Sequence, residues 1–460
     1  MKFSIQVQGP TGRRARGLTL RALAAAAALF AGSAWSMDLL QAYQAALQED
    51  ATVRAARAAS DAARERLPQA RAQLLPNIAF SAGRNRNDLS RTQENSLSGQ
   101  PVTTDEQYYS FNQTLQLRQP LFRKPLWAGL EQAGYIVQDA DASFERELQN
   151  LGVRVAGSYL EALLAHDQLE LVLSQQAFTL TQLDAAHKAL AAGSGTRTDI
   201  DEAQARLDLN RAQELEARQQ LDYTRRQLEV LTRHSVGQLA RLDAGKLPLQ
   251  PPEPQDLDAW LTLAEAGSPE LQALKARLEA AKSEVAKAQG GHYPTLDAVA
   301  QVTRSASENV TTPSSSYTNR VVGLQLNLPL YAGGYTSSIV RQAVAEQTRA
   351  EEMLEATRRD LGLRLHREYR GVTEGVVKVG ALQQAVRSAE QLVKSTRRSF
   401  EAGSRTLVDI LNAEQQLQST RRDLAQARYL YLISRVRLQA LAGGDKEAAI
   451  TELNGWLAGG

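Results

Sequence analysis

The hydrophobic pattern changes period several times along the chain. From Asp38 to Leu74 apolar and small residues recur at helical spacing, and Pro76 ends the run. Period two then takes over. Across 109–117 one face carries Tyr109, Phe111, Leu115 and Leu117, and the other Ser110, Asn112, Thr114 and Gln116. Across 322–328 the apolar face is Val322, Leu324, Leu326 and Leu328, against Gly323, Gln325 and Asn327. Partner strands are expected around Ile78, Phe80 and Ala82, and around Leu296, Ala298, Ala300 and Val302. The alternation predicts strands of about ten residues, each with one apolar and one polar face. The joining segments, 88–107 and 305–319, are rich in Ser, Thr, Asn and Asp and read as long polar loops.

Most of the remainder predicts helix. Stretches 121–192 and 330–402 contain no internal proline beyond Pro125, and at 1.5 Å per residue each reaches about 100 Å. Turns at Gly193-Ser194 and Gly403-Ser404 send the chain back through 199–233 and 409–441. Two long antiparallel hairpins result, with apolar and Ala positions along their length as in coiled-coil packing.

The two halves follow one plan. Leu75-Pro76-Asn77-Ile78 answers Tyr293-Pro294-Thr295-Leu296, Gln119-Pro120-Leu121-Phe122 answers Leu328-Pro329-Leu330-Tyr331, and Ala192-Gly193-Ser194 answers Ala402-Gly403-Ser404. These pairs keep their order at separations of about 210 to 218 residues. The expected division is a first repeat at 37–247, a joint at 248–258 with four prolines, a second repeat at 259–444 and a C-terminal tail at 445–460.

Composition supplies the compartment. Residues 1–36 join five basic residues and no acid to a short apolar run, Ala22 to Ala31, with small residues Ala34 and Ser36 before Met37. That order predicts an export signal peptide. Its removal turns the formal charge of +2 into −3, which gives no footing for a nucleic-acid partner. There are no cysteines, so an exported chain gains no disulfides. No apolar run reaches the roughly 20 residues of a spanning helix. Amphipathic strands of this length suit a transmembrane barrel, or else a small soluble sheet packed on helices. In lipid, four strands alone leave costly open edges, so a membrane reading requires oligomerisation.

Specific stretches carry a resemblance. Leu326-Asn-Leu-Pro-Leu-Tyr-Ala-Gly-Gly334, Ala402-Gly-Ser-Arg-Thr-Leu-Val-Asp-Ile-Leu-Asn-Ala413 and Ala427-Arg-Tyr-Leu-Tyr-Leu-Ile433 resemble the TolC family of outer-membrane channel proteins, as does the duplicated order of the whole mature chain. The resemblance implies a mainly α fold with a small membrane β part. In it, each subunit of a homotrimer gives four strands to a twelve-stranded barrel and two helical hairpins to a periplasmic tunnel. It implies an outer-membrane exit duct for drugs or proteins, embedded in outer-membrane lipid. The expected partners are a periplasmic adaptor and an inner-membrane transporter, either ABC or proton-driven.

At the hairpin tips the resemblance implies a gate. Arg405 matches an arginine that ties one hairpin to Thr198 and Asp199 of a neighbouring one, and Phe400 stands where the family often has a tyrosine bonding the same aspartate. Asp409 matches an acidic ring at the pore constriction, whose second position is Asn412 here. Asp409 and Asp199 also suit helix N-caps after the turns, and Arg405 suits a solvated turn arginine. No cofactor, metal site or catalytic residue is expected: the histidines are scattered, and Gly193-Ser-Gly195 lacks the rest of a nucleotide loop. The alternatives to a duct are a coiled-coil adaptor and a structural scaffold without a pore.

Overall fold

The computed structural model describes residues 37–94, 99–307 and 315–458; the expected signal peptide lies outside them. Three short helices open the chain: α1 (Leu39–Glu49), α2 (Ala51–Arg64) and α3 (Arg66–Ala72). The single periodic run of the sequence is broken at Asp50, which ends α1 and caps α2 by accepting from the Val53 amide at 3.0 Å. Strands β1 (Asn77–Glu94) and β2 (Pro101–Phe122) form a long hairpin. Then α4 (Lys124–Ala191) and α5 (Arg197–Thr232) form the first helical hairpin. Next come α6 (Leu257–Gly267), α7 (Pro269–Gln289), β3 (Thr295–Ser307) and β4 (Ser315–Asn327). The second helical hairpin, α8 (Tyr335–Glu401) and α9 (Leu407–Leu441), precedes α10 (Lys446–Gly455).

The four strands form one antiparallel sheet in the order β1-β2-β3-β4, leaving β1 and β4 as edges. The strands are longer than expected, and most of the anticipated polar loops belong to them. Thr92 and Thr103, for example, sit opposite each other with their hydroxyls 2.8 Å apart. Cross-strand pairs of this kind stabilise polar strands as alternating ones are stabilised. The second long helix begins at Tyr335 rather than 330, because Gly333 and Gly334 have φ of 60° and 82°.

The long helices α4 and α8, of 68 and 67 residues, run the length of the helical part, and their neighbours change midway. Nearer the sheet α4 packs on α2, α3 and α7, and α7 on α8; farther away α4 packs on α5 and α9, and α9 on α8. At Gly371 on α8 an added Cβ would lie 2.6 Å from Ser434 Oγ, so α8 and α9 approach closely there.

A belt surrounds the change-over. It comprises α1, α6, α10 and the irregular strip 233–256 around a core that includes Tyr159, Leu163, Tyr431, Ile450 and Leu457. Tyr159, fully buried on α4, donates its hydroxyl to Met37 O at 2.9 Å and Ala240 O at 3.1 Å. Tyr431 on α9 does the same for Pro248 O at 2.8 Å and Gln250 O at 3.1 Å, so a helix tyrosine pins the Pro-rich joint. The C-terminal segment is part of this core: Asn454 Oδ1 accepts from the Leu39 amide at 3.0 Å.

Candidate functional site at the hairpin tips

Both helical hairpins turn on the same local device. Each long helix ends on a glycine of positive φ, Gly193 (75°) and Gly403 (76°), a conformation that side chains with a Cβ rarely adopt. The returning helix then opens on a capping box. Thr196 is the N-cap of α5, and Asp199 Oδ2 accepts from its amide at 3.0 Å and its hydroxyl at 2.7 Å. Thr406 is the N-cap of α9, and Asp409 Oδ2 accepts from its amide at 2.8 Å and its hydroxyl at 2.9 Å. The caps are thus the threonines, and the two aspartates stand three residues in. The T-x-x-D spacing in the sequence carries that signal.

These bonds, the Thr406 amide first, hold the Asp409 carboxyl below the usual carboxylate range, and the Arg405 guanidinium adds to the effect. Arg405 is exposed and pairs with Asp409 at 3.5 Å, one helical turn away. Thr198 is exposed, and Phe400 is exposed at the end of α8. Among the described residues, one chain makes no bond between Arg405 and Thr198 or Asp199.

Asn412 is held by a residue that the sequence reading missed. Arg206 on α5 donates to Asn412 Oδ1 at 2.8 Å, to Gln415 Oε1 at 2.7 Å and to Glu202 Oε1 at 2.9 Å. Beside it a small apolar cluster joins Ala186, Leu407 and Leu411, with Phe178 and Ile200 against it. An arginine on a polar helix face carries no one-dimensional sign of such a tie.

Farther from the tip, α4 and α9 are joined by Tyr429, which donates to Asp167 Oδ2 at 2.7 Å. Burial pushes the Asp167 carboxyl up, and burial together with that carboxylate pushes the Tyr429 phenol up. His166, Asp167 and Glu170 lie close enough to share an ion. Arg241 occupies that corner, with Nη2 at 2.7 Å from Glu170 and 3.3 Å from His166 Nε2, so the group reads as an ion-pair network.

At the opposite end, Asp297 on β3 is buried and takes Arg118 from β2 at 2.6 Å together with Arg123 from the start of α4. The base of the sheet is thereby tied to the long helix. The opposite face of the sheet exposes Ile78, Phe80, Leu115, Val322, Leu324 and Leu326.

A model of the family described as "Outer membrane efflux protein" matches residues 42–232 and 260–444. The chain belongs to that family. It is 34% identical over 430 residues to the proteases secretion protein PrtF of Dickeya chrysanthemi, covering 93% of each chain. It is 34% identical over 417 residues to the alkaline protease secretion protein AprF of Pseudomonas aeruginosa, covering 90% of this chain and 86% of that one. Its fold is similar to the crystal structure of CusC, with a TM-score of 0.77 at 16% identity over 89% of this chain and 93% of that one. The expected family and fold type hold. The protein is an outer-membrane exit duct with a helical tunnel reaching into the periplasm.

Proposed function

We propose that three copies close a twelve-stranded barrel and a common tunnel, and that this duct passes proteins outward in a type I secretion system. The observation that carries the reading is the pair of open sheet edges, β1 and β4, beside an exposed apolar face. Unpaired edges in lipid are prohibitively costly, so copies of the chain must pair edge to edge. Two copies would give about eight strands, whose interior side chains fill, whereas three give twelve and leave a lumen.

The helical wall supports the same assembly. α5 exposes Leu209, Leu215, Tyr223 and Val230, and α8 exposes Met353, Leu363, Val377 and Leu392. Large apolar side chains along both margins suit burial against further copies. The element order, repeated in each half around the joint at 248–258, lets two quasi-equivalent hairpins alternate around the ring. The 1–36 segment is read as the signal that exports the chain before assembly.

Protein cargo is favoured by the two relatives that are named for secreting proteases. The duct contributes no catalysis; it receives its cargo from an inner-membrane transporter through a periplasmic adaptor. At the tips, Arg405 of one copy reaches Thr198 and Asp199 of the next, and Asp409 with Asn412 lines the constriction. Phe400 offers no phenol, so that part of the closure lacks a bond.

Single-channel conductance of the purified oligomer, wild type beside Arg405→Ser, tests the reading. Small steady openings that grow in the mutant support a duct latched at Arg405. Equal openings leave the duct and remove the latch, and no conductance from an inserted oligomer returns the question to an adaptor or scaffold.

A further inference from the structure

The register of the sheet assigns every side chain to a face. Ile78 pairs with Leu117, Leu117 with Ala300, and Ala300 with Val322, so these positions share the apolar face. Read outward from the helices, that face on β1 runs Ile78, Phe80, Ala82, Arg84. On β3 it runs Leu296, Ala298, Ala300, Val302, Arg304, and on β4 it runs Leu326, Leu324, Val322, Arg320. In three of the four strands the apolar run therefore stops on an arginine.

The three arginines also come to one height. In paired positions Arg304 lies one two-residue step nearer the helices than Arg84, and Arg320 lies two steps nearer. Barrel strands about 4.8 Å apart and tilted by about 45° are offset along the membrane normal by about 3.4 Å each, and a two-residue step climbs about 4.7 Å. At the helix end β1 begins at Asn77, level in register with Val299, whereas β3 begins two such steps nearer the helices at Thr295. With the strands leaving the helices at a common level, the tilt runs against the register and the two offsets nearly cancel. An arginine on a lipid face is tolerated at the membrane interface and not at its centre, which fixes this level as the outer boundary of the apolar band.

All three side chains are exposed, and none forms a salt bridge among the described residues. Arg84 lies over the Tyr109 ring at 4.8 Å, leaving its guanidinium edge available. Among the described residues the face carries no acid until Asp88 and Asp105, farther out, and Asp88 is already linked to Arg86 through Gln107. Cationic forks at the rim of an apolar band match phosphate groups on lipid, which a guanidinium binds bidentately.

We propose that Arg84, Arg304 and Arg320 form a collar that binds the phosphate groups of the phosphorylated glycolipid in the outer leaflet. The inference rests on the barrel reading above, in which three copies present nine such arginines around the duct.

The test uses the full-length purified oligomer in detergent, titrated with bis-phosphorylated lipid A, with dephosphorylated lipid A, or with inorganic phosphate. Retained lipid is read by native mass spectrometry, and oligomer stability by heat dissociation. Wild type should retain the phosphorylated form about tenfold better than the dephosphorylated form, and inorganic phosphate should not displace it. The triple variant Arg84→Gln, Arg304→Gln, Arg320→Gln should lose the preference, and the triple Lys variant should keep part of it. Equal retention of the two lipids by wild type, an unchanged preference in the Gln variant, or displacement by inorganic phosphate would each overturn the collar. A wild-type chain that fails to assemble or conduct contradicts the barrel itself, whereas a conducting oligomer without lipid preference contradicts the collar alone. Should the Gln variant not assemble, the single substitutions carry the test, each expected to lower retention partway.

Discussion

Arg206 and Asn412, on helices of different hairpins, are joined by a bond of 2.8 Å at the end of the molecule farthest from the sheet. The same guanidinium holds Gln415, also on α9, and Glu202 on its own helix. A planar fork engaging three acceptors loses most of its geometry if either hairpin shifts.

Replacing Arg206 with Ala should therefore release the first hairpin tip from the second. Conductance is expected to rise in Arg206→Ala and in Asn412→Ala, and the double variant should add little to Arg206→Ala because both remove one interaction. Additive effects in planar bilayers would mean that the two residues act separately.

Asp409 gives the tip a pH dependence. Its carboxyl is held below the ordinary range, so it contributes stability above the unfolded carboxylate pKa of about 3.9, and that contribution disappears as pH falls through the lowered value. Amide protection at 406–409, measured against the rate of an unstructured peptide at the same pH, should fall in acid and stay constant from pH 5 upward. In Asp409→Asn the acid step should vanish, and cation selectivity in a salt gradient should fall. Unchanged selectivity would remove Asp409 from the constriction.

Asp167 titrates with the opposite sign. Burial raises its carboxyl, so the folded chain favours the protonated form and loses stability as pH rises through the carboxylate range. Tyr429→Phe leaves this half-buried group without its donor and should cost about 1 kcal/mol. Asp167→Asn keeps an acceptor for Tyr429 and removes the half-buried charge, so its thermal stability at neutral pH should equal or exceed wild type. A loss as large as that of Tyr429→Phe would contradict this.

Enlarging Gly371 should separate α8 from α9. Ala can be met by rotation of Ser434, whereas Leu forces backbone movement, with an expected cost of about 1–3 kcal/mol at a point where the added Cβ already sits 2.6 Å from Ser434 Oγ. Heat dissociation of Gly371→Leu at wild-type temperature would show that the helices accommodate it.

The hairpins, their glycine turns and the alternating strand cores were legible because each rests on local chemistry: period, proline and positive φ. The apolar positions Leu115, Val322 and Leu324 fell on the face where alternation put them. The strand ends did not, because Thr92, Thr103 and similar residues read as loop until a partner strand is known. At the tips the aspartates were visible as cap-like residues, and the T-x-x-D spacing that makes the threonines the caps is equally local. Arg206 and the pair Tyr429–Asp167 depend on contacts between residues more than two hundred positions apart. No local pattern encodes those, nor the belt that buries the C-terminal segment.

The staggered helix ends have a mechanical consequence. The shorter helices stop and start at the belt, while α4 and α8 pass through it unbroken. The belt can thus serve as a fulcrum, with the tips as the free ends of stiff levers about 50 Å long. An inclination of about 5° at the fulcrum displaces each tip by roughly 4 Å. Aperture at the mouth can then change through small rotations, while the sheet, tied to α4 through Asp297, stays in place.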